Sequence, residues 1–190
     1  MKVAIIGHSY VRDLFHLNRK EIILDDNTQV SLHFTFSPGC SLTHYISKPH
    51  LLLEAKNFDP DIVIAIIGGN DIVNSISTED LHSNCRNFYT FLRSEFPNSM
   101  LVGSQVELRF YTFNNRFDCP PHSEFDLRRK SFNTFLKRLK VKDCILQVQG
   151  PGRLDDRAFY RDEVHLNTLG LNKYFNIIEN TIQYCHNKHF

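Results

Sequence analysis

The sequence predicts an α/β protein in which helices cover both faces of a parallel sheet. Short apolar runs alternate with helix-like patterns along the whole 190-residue chain, which is typical of such sheets. The run from Ile62 to Ile67 is apolar without alternation and rich in branched side chains, as expected for a central strand buried on both faces. The length and the 42% hydrophobic content suffice for one core, and we predict a single domain over residues 1–190.

Five strands are expected from these apolar runs. They extend from Val3 to Ile6, Val30 to Phe36, Ile62 to Ile67, Leu101 to Val106 and Cys144 to Val148. A helical stretch from Tyr10 to Leu17 follows the first strand directly. Pro49 is predicted to open the helix that carries Leu52 and Leu53, because proline is tolerated in a first turn.

Three longer helices are predicted from apolar residues at three- and four-residue steps. Their apolar faces consist of Leu81, Cys85, Phe88, Leu92 and Phe96; of Phe132, Phe135, Leu136 and Leu139; and of Leu171, Tyr174, Phe175, Ile178, Ile182 and Cys185. Ser77, with Asp80 three residues later, is the expected cap of the first, and Asn167 that of the last. A long irregular stretch from Glu107 to about Phe125 contains two prolines and is a candidate functional loop.

Charge and composition exclude several classes of partner. The net charge of +1, from 22 basic and 21 acidic side chains, gives no general attraction to nucleic acid or anionic lipid. The basic residues at 128–130 and 137–138 are interpreted as a solvated helix face. No signal peptide or membrane span is recognised. Five scattered cysteines without a C-x-x-C pair fit reduced thiols, so we expect a cytoplasmic protein.

Three short motifs each supply one part of an acyl-transfer site. They are Gly7-His8-Ser9 after the first strand, Gly68-Gly69-Asn70-Asp71 after the third, and Asp162-Glu163-Val164-His165 near the C-terminus. Ligands of open parallel sheets bind beyond the carboxyl ends of the strands, where Ser9 and Asn70 are expected. Ser9 is the candidate nucleophile, His165 its base and Asp162 the carboxylate that orients the base.

Each motif alone has a simpler explanation. The first is compatible with a strand-to-helix turn that Ser9 caps, and the second with an ordinary turn. The pattern D-x-x-H even occurs twice, since Asp13-Leu14-Phe15-His16 repeats it inside the first helix. The histidine of that copy is expected to face away from the Ser9 hydroxyl. The prediction therefore depends on the order of the motifs and on their positions at strand ends.

As an ordered set, the motifs resemble the SGNH hydrolases, also called the GDSL-type esterase and lipase superfamily. Ser9 matches the nucleophile, Gly39 matches a glycine whose N–H joins the oxyanion hole, Asn70 matches the amide of that hole, and Asp162 and His165 match the last block. The resemblance runs from residue 3 to about residue 182. It implies a three-layer α/β/α sandwich with a five-stranded parallel sheet of flavodoxin-like order. It also implies ester hydrolysis without a metal or cofactor.

The first motif departs from the family in one residue. The family commonly has Gly-Asp-Ser, and here His8 replaces the aspartate. The change leaves the proton relay intact but puts in doubt the hydrogen bonds that hold the nucleophile loop. His8 is not expected to be a second base, because a residue adjacent to Ser9 normally points to the other side of the turn. The run from Gly7 to Arg12 also resembles esterase-like domains of some animal retroelement proteins.

The resemblance implies a serine esterase whose partner is a small-molecule ester. Phe110 and Tyr111 belong to an aromatic run that either forms an apolar wall for an acyl or aryl group or packs the loop onto the body. Because no extended apolar stretch suggests a lipid lid, small acyl esters are expected rather than long chains.

Two other functions are compatible with the predicted fold. One is a slow or inactive module that binds an acylated ligand or a protein partner. The other is a flavodoxin-like nucleotide-binding protein, which would need a phosphate loop richer in glycine or hydroxyls than Gly7 to Val11. No metal is predicted, because neither Cys119 with His122 nor the segment Cys185 to His189 supplies four ligands at zinc spacing.

Overall fold

The computed structural model describes residues 1–73, 77–107, 109–110, 122–139, 145–148, 157–162 and 164–189. For 122, 145–148 and 189 only the backbone is described. The strands are β1 (Lys2–Gly7), β2 (Glu21–Ile23), β3 (Gln29–Phe36), β4 (Ile62–Ile66), β5 (Met100–Ser104) and β6 (Ile145–Val148). The helices are α1 (Ser9–Phe15), α2 (Leu42–Ser47), α3 (Leu53–Phe58), α4 (Gly69–Val73), α5 (Thr78–Glu95), α6 (His122–Arg138) and α7 (Thr168–His189). Short 3₁₀ turns occupy Pro49–Leu52 and Arg157–Phe159.

The sheet has the strand order β2-β3-β1-β4-β5-β6. The last five strands in this order are parallel to one another and have the flavodoxin-like order that was expected. All five residues of β4 are buried, which confirms the predicted central strand. The sheet also has a sixth strand, β2, which pairs antiparallel with β3. It was not predicted because it has three residues, too few to show a period.

Side chains of alternate strand residues enter two separate apolar cores, one on each face of the sheet. In β1, Val3 and Ile5 pack with α1 and α7, whereas Ala4 and Ile6 pack with α2, α3, α5 and α6. This arrangement is the predicted three-layer sandwich, and it follows from the period of two along a strand. Among the described residues, none of the helices is long and apolar enough to cross a membrane.

The helix starts agree with the capping residues that the sequence indicated. The Ser77 hydroxyl accepts a hydrogen bond from the Asp80 N–H at 3.0 Å, and the Asn167 side-chain oxygen accepts one from the Gly170 N–H at 2.9 Å. The segment that Pro49 opens begins as a 3₁₀ turn and continues as α3. The predicted ends of the last strand agree with β6, except that Cys144 lies outside the described residues.

The strand register brings three connecting loops to one edge of the sheet. Gly7, the last residue of β1, is opposite Phe36 at the end of β3 and Ile66 at the end of β4. The segments after β1, β3 and β4 therefore leave the sheet side by side. These segments carry Ser9, Gly39 and Asn70, the three residues that the sequence assigned to one site.

Candidate active site

Ser9, His165 and Asp162 form a continuous row of hydrogen-bonding groups. The Ser9 Oγ lies 3.1 Å from Nε2 of His165, and Nδ1 of that ring lies 3.0 Å from Oδ2 of Asp162. These distances are short enough for proton transfer from hydroxyl to imidazole, with the carboxylate orienting the ring. The structure thus brings together residues that are 156 positions apart in the chain.

The Asp162 carboxylate also organises the turn that carries the imidazole. Its Oδ1 accepts hydrogen bonds from the backbone N–H groups of Val164 at 2.7 Å and His165 at 2.6 Å. Partial burial raises the pKa of this carboxyl group, but the hydrogen bonds from His165 and Val164 outweigh it and hold the pKa below its usual value. Asp162 therefore remains ionised at neutral pH and can stabilise a protonated imidazole.

Two contacts from α1 hold this turn in place. The Tyr10 hydroxyl donates to the Val164 carbonyl at 2.6 Å. The Arg161 guanidinium donates to Asp13 Oδ2 at 3.0 Å, and Asp13 itself is 5% exposed. Because α1 begins at Ser9, the helix that presents the hydroxyl also anchors the loop of its partner imidazole.

Asp13 belongs to the second D-x-x-H pattern of the chain. In that copy the aspartate faces Arg161 and Arg12, whereas His16 is the C-terminal cap residue of α1 and contacts the Phe15 ring. His16 is thus at the opposite end of α1 from Ser9, as expected. The sequence analysis did not foresee the anchoring role of Asp13, because only the folded loop brings Arg161 to it.

His8, the residue that departs from the family motif, holds the start of α1. It is the N-cap residue of this helix, and its Nδ1 accepts a hydrogen bond from the Tyr10 N–H at 3.4 Å. The cap is therefore His8, and Ser9 is the first helical residue. Burial, followed by the charges of Arg109 and His165, lowers the pKa of His8 to about 3. The ring is therefore neutral at working pH and a weak base.

The loop after β3 lies against both the nucleophile turn and Asn70. Its Ser37 N–H donates to the Gly7 carbonyl at 3.0 Å, and the Asn70 Nδ2 donates to the Cys40 carbonyl at 2.9 Å. Gly39 has a φ of +77°, in the left-handed region that glycine favours. Within the described part of the chain, the N–H groups of Ser9 and Gly39 donate to no protein acceptor.

Asn70 and Asp71 open α4 and have different partners. The Asn70 Oδ1 accepts a hydrogen bond from Nη2 of Arg109 at 3.2 Å. The Asp71 carboxylate accepts the Leu42 N–H through both oxygens, at 3.0 and 3.1 Å, and so holds the start of α2. Burial raises the pKa of Asp71 to about 6, although the hydrogen bond from Leu42 and the charge of Arg109 act in the opposite direction.

The raised pKa of Asp71 predicts a pH-dependent effect of Asp71→Asn on stability. A carboxyl group whose pKa is higher in the folded state stabilises the fold most when protonated, and this contribution is lost as pH rises through about 6. The substitution should therefore lower the free energy of unfolding by about 2 kcal/mol more at pH 4.5 than at pH 7.5. Urea unfolding of wild type and variant at both pH values measures this difference. The contributions of the other titrating groups are common to both proteins and cancel. An equal difference at the two pH values would contradict the burial of an ionisable Asp71.

Of the two aromatic residues proposed for substrate contact, the structure describes only Phe110. Phe110 packs its ring edge-on against Tyr160, with centroids 5.1 Å apart, and contacts the core beneath α7. Tyr111 lies outside the described residues. A substrate role for either residue therefore stays a prediction. Among the described residues no group of three or more His, Cys, Asp or Glu side chains could hold a metal ion.

Arg109 is another residue of the candidate site that the sequence analysis missed. Its side chain is 4% exposed and lies against Asn70 in the loop that follows β5. No local motif marks it, and the length of the irregular stretch after Glu107 was the only signal that pointed to this region.

Comparison of the whole fold with known structures agrees with the sequence motifs. No family model and no curated protein matches the chain in sequence. Solved structures do match. TesA matches with a TM-score of 0.67 and 14% identity, over 96% of this chain and 98% of TesA. A lipase/acylhydrolase from Enterococcus faecalis matches with a TM-score of 0.65 and 16% identity, over 96% of this chain and 95% of its own. An acetyl esterase mutant with an acetate ion has a TM-score of 0.63, 11% identity and 96% coverage of both chains.

Structures described as GDSL-like lipases, from Parabacteroides merdae and Bacteroides thetaiotaomicron, also match over 96% and 100% of this chain. At identities of 13% such likeness concerns the arrangement of helices and strands. The chain therefore has the fold of the SGNH, or GDSL-type, hydrolases that its motifs resemble.

Proposed function

We propose that the protein is a serine esterase that hydrolyses small acyl, acetyl-type esters. The observation that carries the proposal is the row formed by Ser9, His165 and Asp162, with successive distances of 3.1 and 3.0 Å. A serine hydroxyl is a weak nucleophile unless a neighbouring base removes its proton. Here the hydroxyl, the base and the carboxylate that orients the base are in contact before any substrate binds.

In the proposed reaction the Ser9 oxygen attacks the carbonyl carbon of the ester while Nε2 of His165 takes the hydroxyl proton. The negative oxygen of the tetrahedral intermediate is stabilised by the N–H groups of Ser9 and Gly39 and by the Asn70 amide. Collapse of the intermediate expels the alcohol, which receives the proton from His165 and leaves the acyl group on Ser9. A water molecule then attacks the acyl-enzyme with His165 again as base, releasing the acid and free Ser9.

Asp162 supports both steps through the imidazole. The Nδ1–H of His165 donates to Oδ2 of Asp162 at 3.0 Å, which leaves Nε2 of His165 to accept the serine proton. The lowered pKa of Asp162 means that a negative charge faces the ring when the ring becomes protonated. A small acyl group is favoured because no extended apolar stretch in the sequence suggests a lipid lid, and because an acetyl esterase is among the proteins of this fold.

The experiment that tests the proposal is labelling with a fluorophosphonate, followed by intact-protein mass spectrometry. Wild type should gain the mass of one phosphonyl group and Ser9→Ala none, and only wild type should hydrolyse an aryl acetate. Ser37→Ala is a matched control, because the Ser37 hydroxyl also lies beside a histidine, 3.3 Å from Nε2 of His44. That variant should still be labelled. Label on Ser9→Ala would refute the assignment.

The same experiment separates the esterase from a binding module of the same fold. A binding module would recognise an acylated ligand or partner while turning over no ester and taking up no label. The close contact of Ser9 with His165 favours the esterase, because binding alone needs no activated hydroxyl. Absence of both labelling and hydrolysis in folded wild type would favour the binding module.

A further inference from the structure

We propose that Arg109 is a positioning residue that orients the Asn70 amide towards the oxyanion. The inference rests on the proposed function, because it concerns the donor set of the same site. The geometry behind it is the hydrogen bond of 3.2 Å from Nη2 of Arg109 to Oδ1 of Asn70. Arg109 would act through Asn70 and is not assigned a contact with the substrate.

The two ends of an asparagine amide are nearly equal in shape but opposite in hydrogen bonding. One end accepts, and the other carries two N–H donors, so a rotation by half a turn would aim the oxygen at the oxyanion and repel it. A guanidinium group has donors and no acceptor. Arg109 therefore tolerates only the orientation in which Oδ1 of Asn70 faces it.

A second contact fixes the remaining direction of the amide. One N–H of Asn70 donates to the Cys40 carbonyl at 2.9 Å, in the loop that carries Gly39. With the oxygen bound to Arg109 and one N–H bound to Cys40, a single N–H of the amide is left. We assign this second N–H to the oxyanion, and the donor is thus aligned before substrate arrives.

The surroundings of Arg109 hold the guanidinium in place. The side chain is 4% exposed, and its guanidinium carbon lies 5.9 Å from the centroid of the Phe125 ring, within reach of a cation–π contact. A Cβ atom on Gly69 would overlap the guanidinium. Because Gly69 has no side chain, the guanidinium of Arg109 can occupy the space beside it. Arg109 thus explains why a glycine precedes Asn70 in the Gly68-Gly69-Asn70 motif.

The charge of Arg109 adds to its geometric role. The charge contributes to the lowered pKa of His8 and opposes the rise in the pKa of Asp71. Its field therefore reaches the residue before Ser9 and the residue after Asn70. A cation on the oxygen side of an amide also polarises the N–H bonds and makes them stronger donors. Loss of Arg109 should therefore weaken the oxyanion interaction more than it weakens binding of the neutral ester.

The first test is the kinetics of aryl acetate hydrolysis. Arg109→Met should lower kcat by about 10- to 100-fold with KM within about 3-fold, because an aligned oxyanion donor is worth about 10²- to 10³-fold. Arg109→Lys, which keeps a donor and a charge, should recover part of the loss. Asn70→Ala should lower kcat by about 10²- to 10³-fold, and adding Arg109→Met to it should change kcat by less than about 3-fold. Full multiplication of the two losses would overturn the proposal.

Two further variants separate positioning from general damage. Gly69→Ala should displace the guanidinium while leaving Arg109 in the chain. It should lower kcat, and it should lower kcat no further when Arg109→Met is already present.

Arg93→Met is the matched control, because Arg93 donates to the carbonyls of Phe96, Pro97 and Ser99, before the amino end of β5. It should lower stability and leave kcat within about 2-fold. A kcat loss in Arg93→Met equal to that in Arg109→Met would count against a specific role.

A readout independent of activity distinguishes failure of this inference from failure of the proposed function. The two side-chain N–H signals of Asn70 can be assigned by their loss in Asn70→Ala and followed by ¹⁵N-edited NMR. They should shift in Arg109→Met and remain unchanged in Arg93→Met. Unchanged signals in Arg109→Met would overturn the positioning role. If Ser9→Ala hydrolysed the ester as fast as wild type, the esterase assignment would fail, and the NMR result would still decide whether Arg109 orients Asn70.

Discussion

His165→Ala is expected to lower kcat for aryl acetate hydrolysis by about 10⁶-fold, the loss expected when the base of a serine triad is removed. The reason is that Nε2 of His165 is the proton acceptor in contact with the Ser9 hydroxyl, at 3.1 Å. Without it, the serine must attack as a neutral hydroxyl. KM should change little, because the imidazole contributes to the transition state and hardly to binding of the ester. Steady-state kinetics over a range of aryl acetate concentrations separates the two parameters.

The chain provides a matched control for this substitution in its second D-x-x-H pattern. His16→Ala removes the same kind of side chain from the same motif, but at the C-terminal end of α1. It should leave kcat within about 3-fold and cost at most about 1 kcal/mol of stability, as for a side chain at a helix end. Equal kcat losses in His16→Ala and His165→Ala would mean that the measured effect is general destabilisation and that the assigned base is wrong.

The sequence predicted those parts of the site that strand ends and short motifs specify. Ser9 and Asn70 each follow an apolar run directly, and a parallel sheet brings the carboxyl ends of its strands together. His165 was assigned from the D-x-x-H motif and from the order of the motifs, whereas Gly39 could be assigned only through the family resemblance, since nothing local in the sequence relates it to Ser9. Their positions in the fold depend on the sheet register and on the turn that Asp162 organises.

The residues that the sequence analysis missed act through contacts between segments that are far apart in the chain. Arg109 and Asp13 look like ordinary charged residues in the sequence, because their meaning comes from Asn70 and Arg161, which are far away in the chain. A pattern of spacing within one helix or strand contains no information about such pairs. The cap formed by His8 was missed for a different reason, because histidine is not among the preferred N-cap residues.

Gly7→Ala is the substitution for which we expect the largest loss of stability. A Cβ atom at this position would overlap the carbonyl oxygen of Ile66 on the neighbouring strand and the side chain of Val11. The obstacle is backbone in the centre of the sheet, so it cannot be relieved by rotating a side chain. We expect the free energy of unfolding to fall by at least about 3 kcal/mol, at the upper end for overpacking. Urea unfolding of wild type and variant measures it.

Gly39→Ala is the control, since a Cβ atom there meets nothing within 4 Å and the φ of +77° costs only about 1 to 2 kcal/mol. A loss in Gly7→Ala no larger than in Gly39→Ala would show that β1 and β4 can separate at this point. Gly7 also joins the nucleophile turn to its neighbours, because its carbonyl accepts hydrogen bonds from the Ser37 N–H and the Tyr45 hydroxyl. The close backbone contact that only glycine permits therefore stabilises the centre of the sheet and sets the position of Ser9 relative to the loop of Gly39.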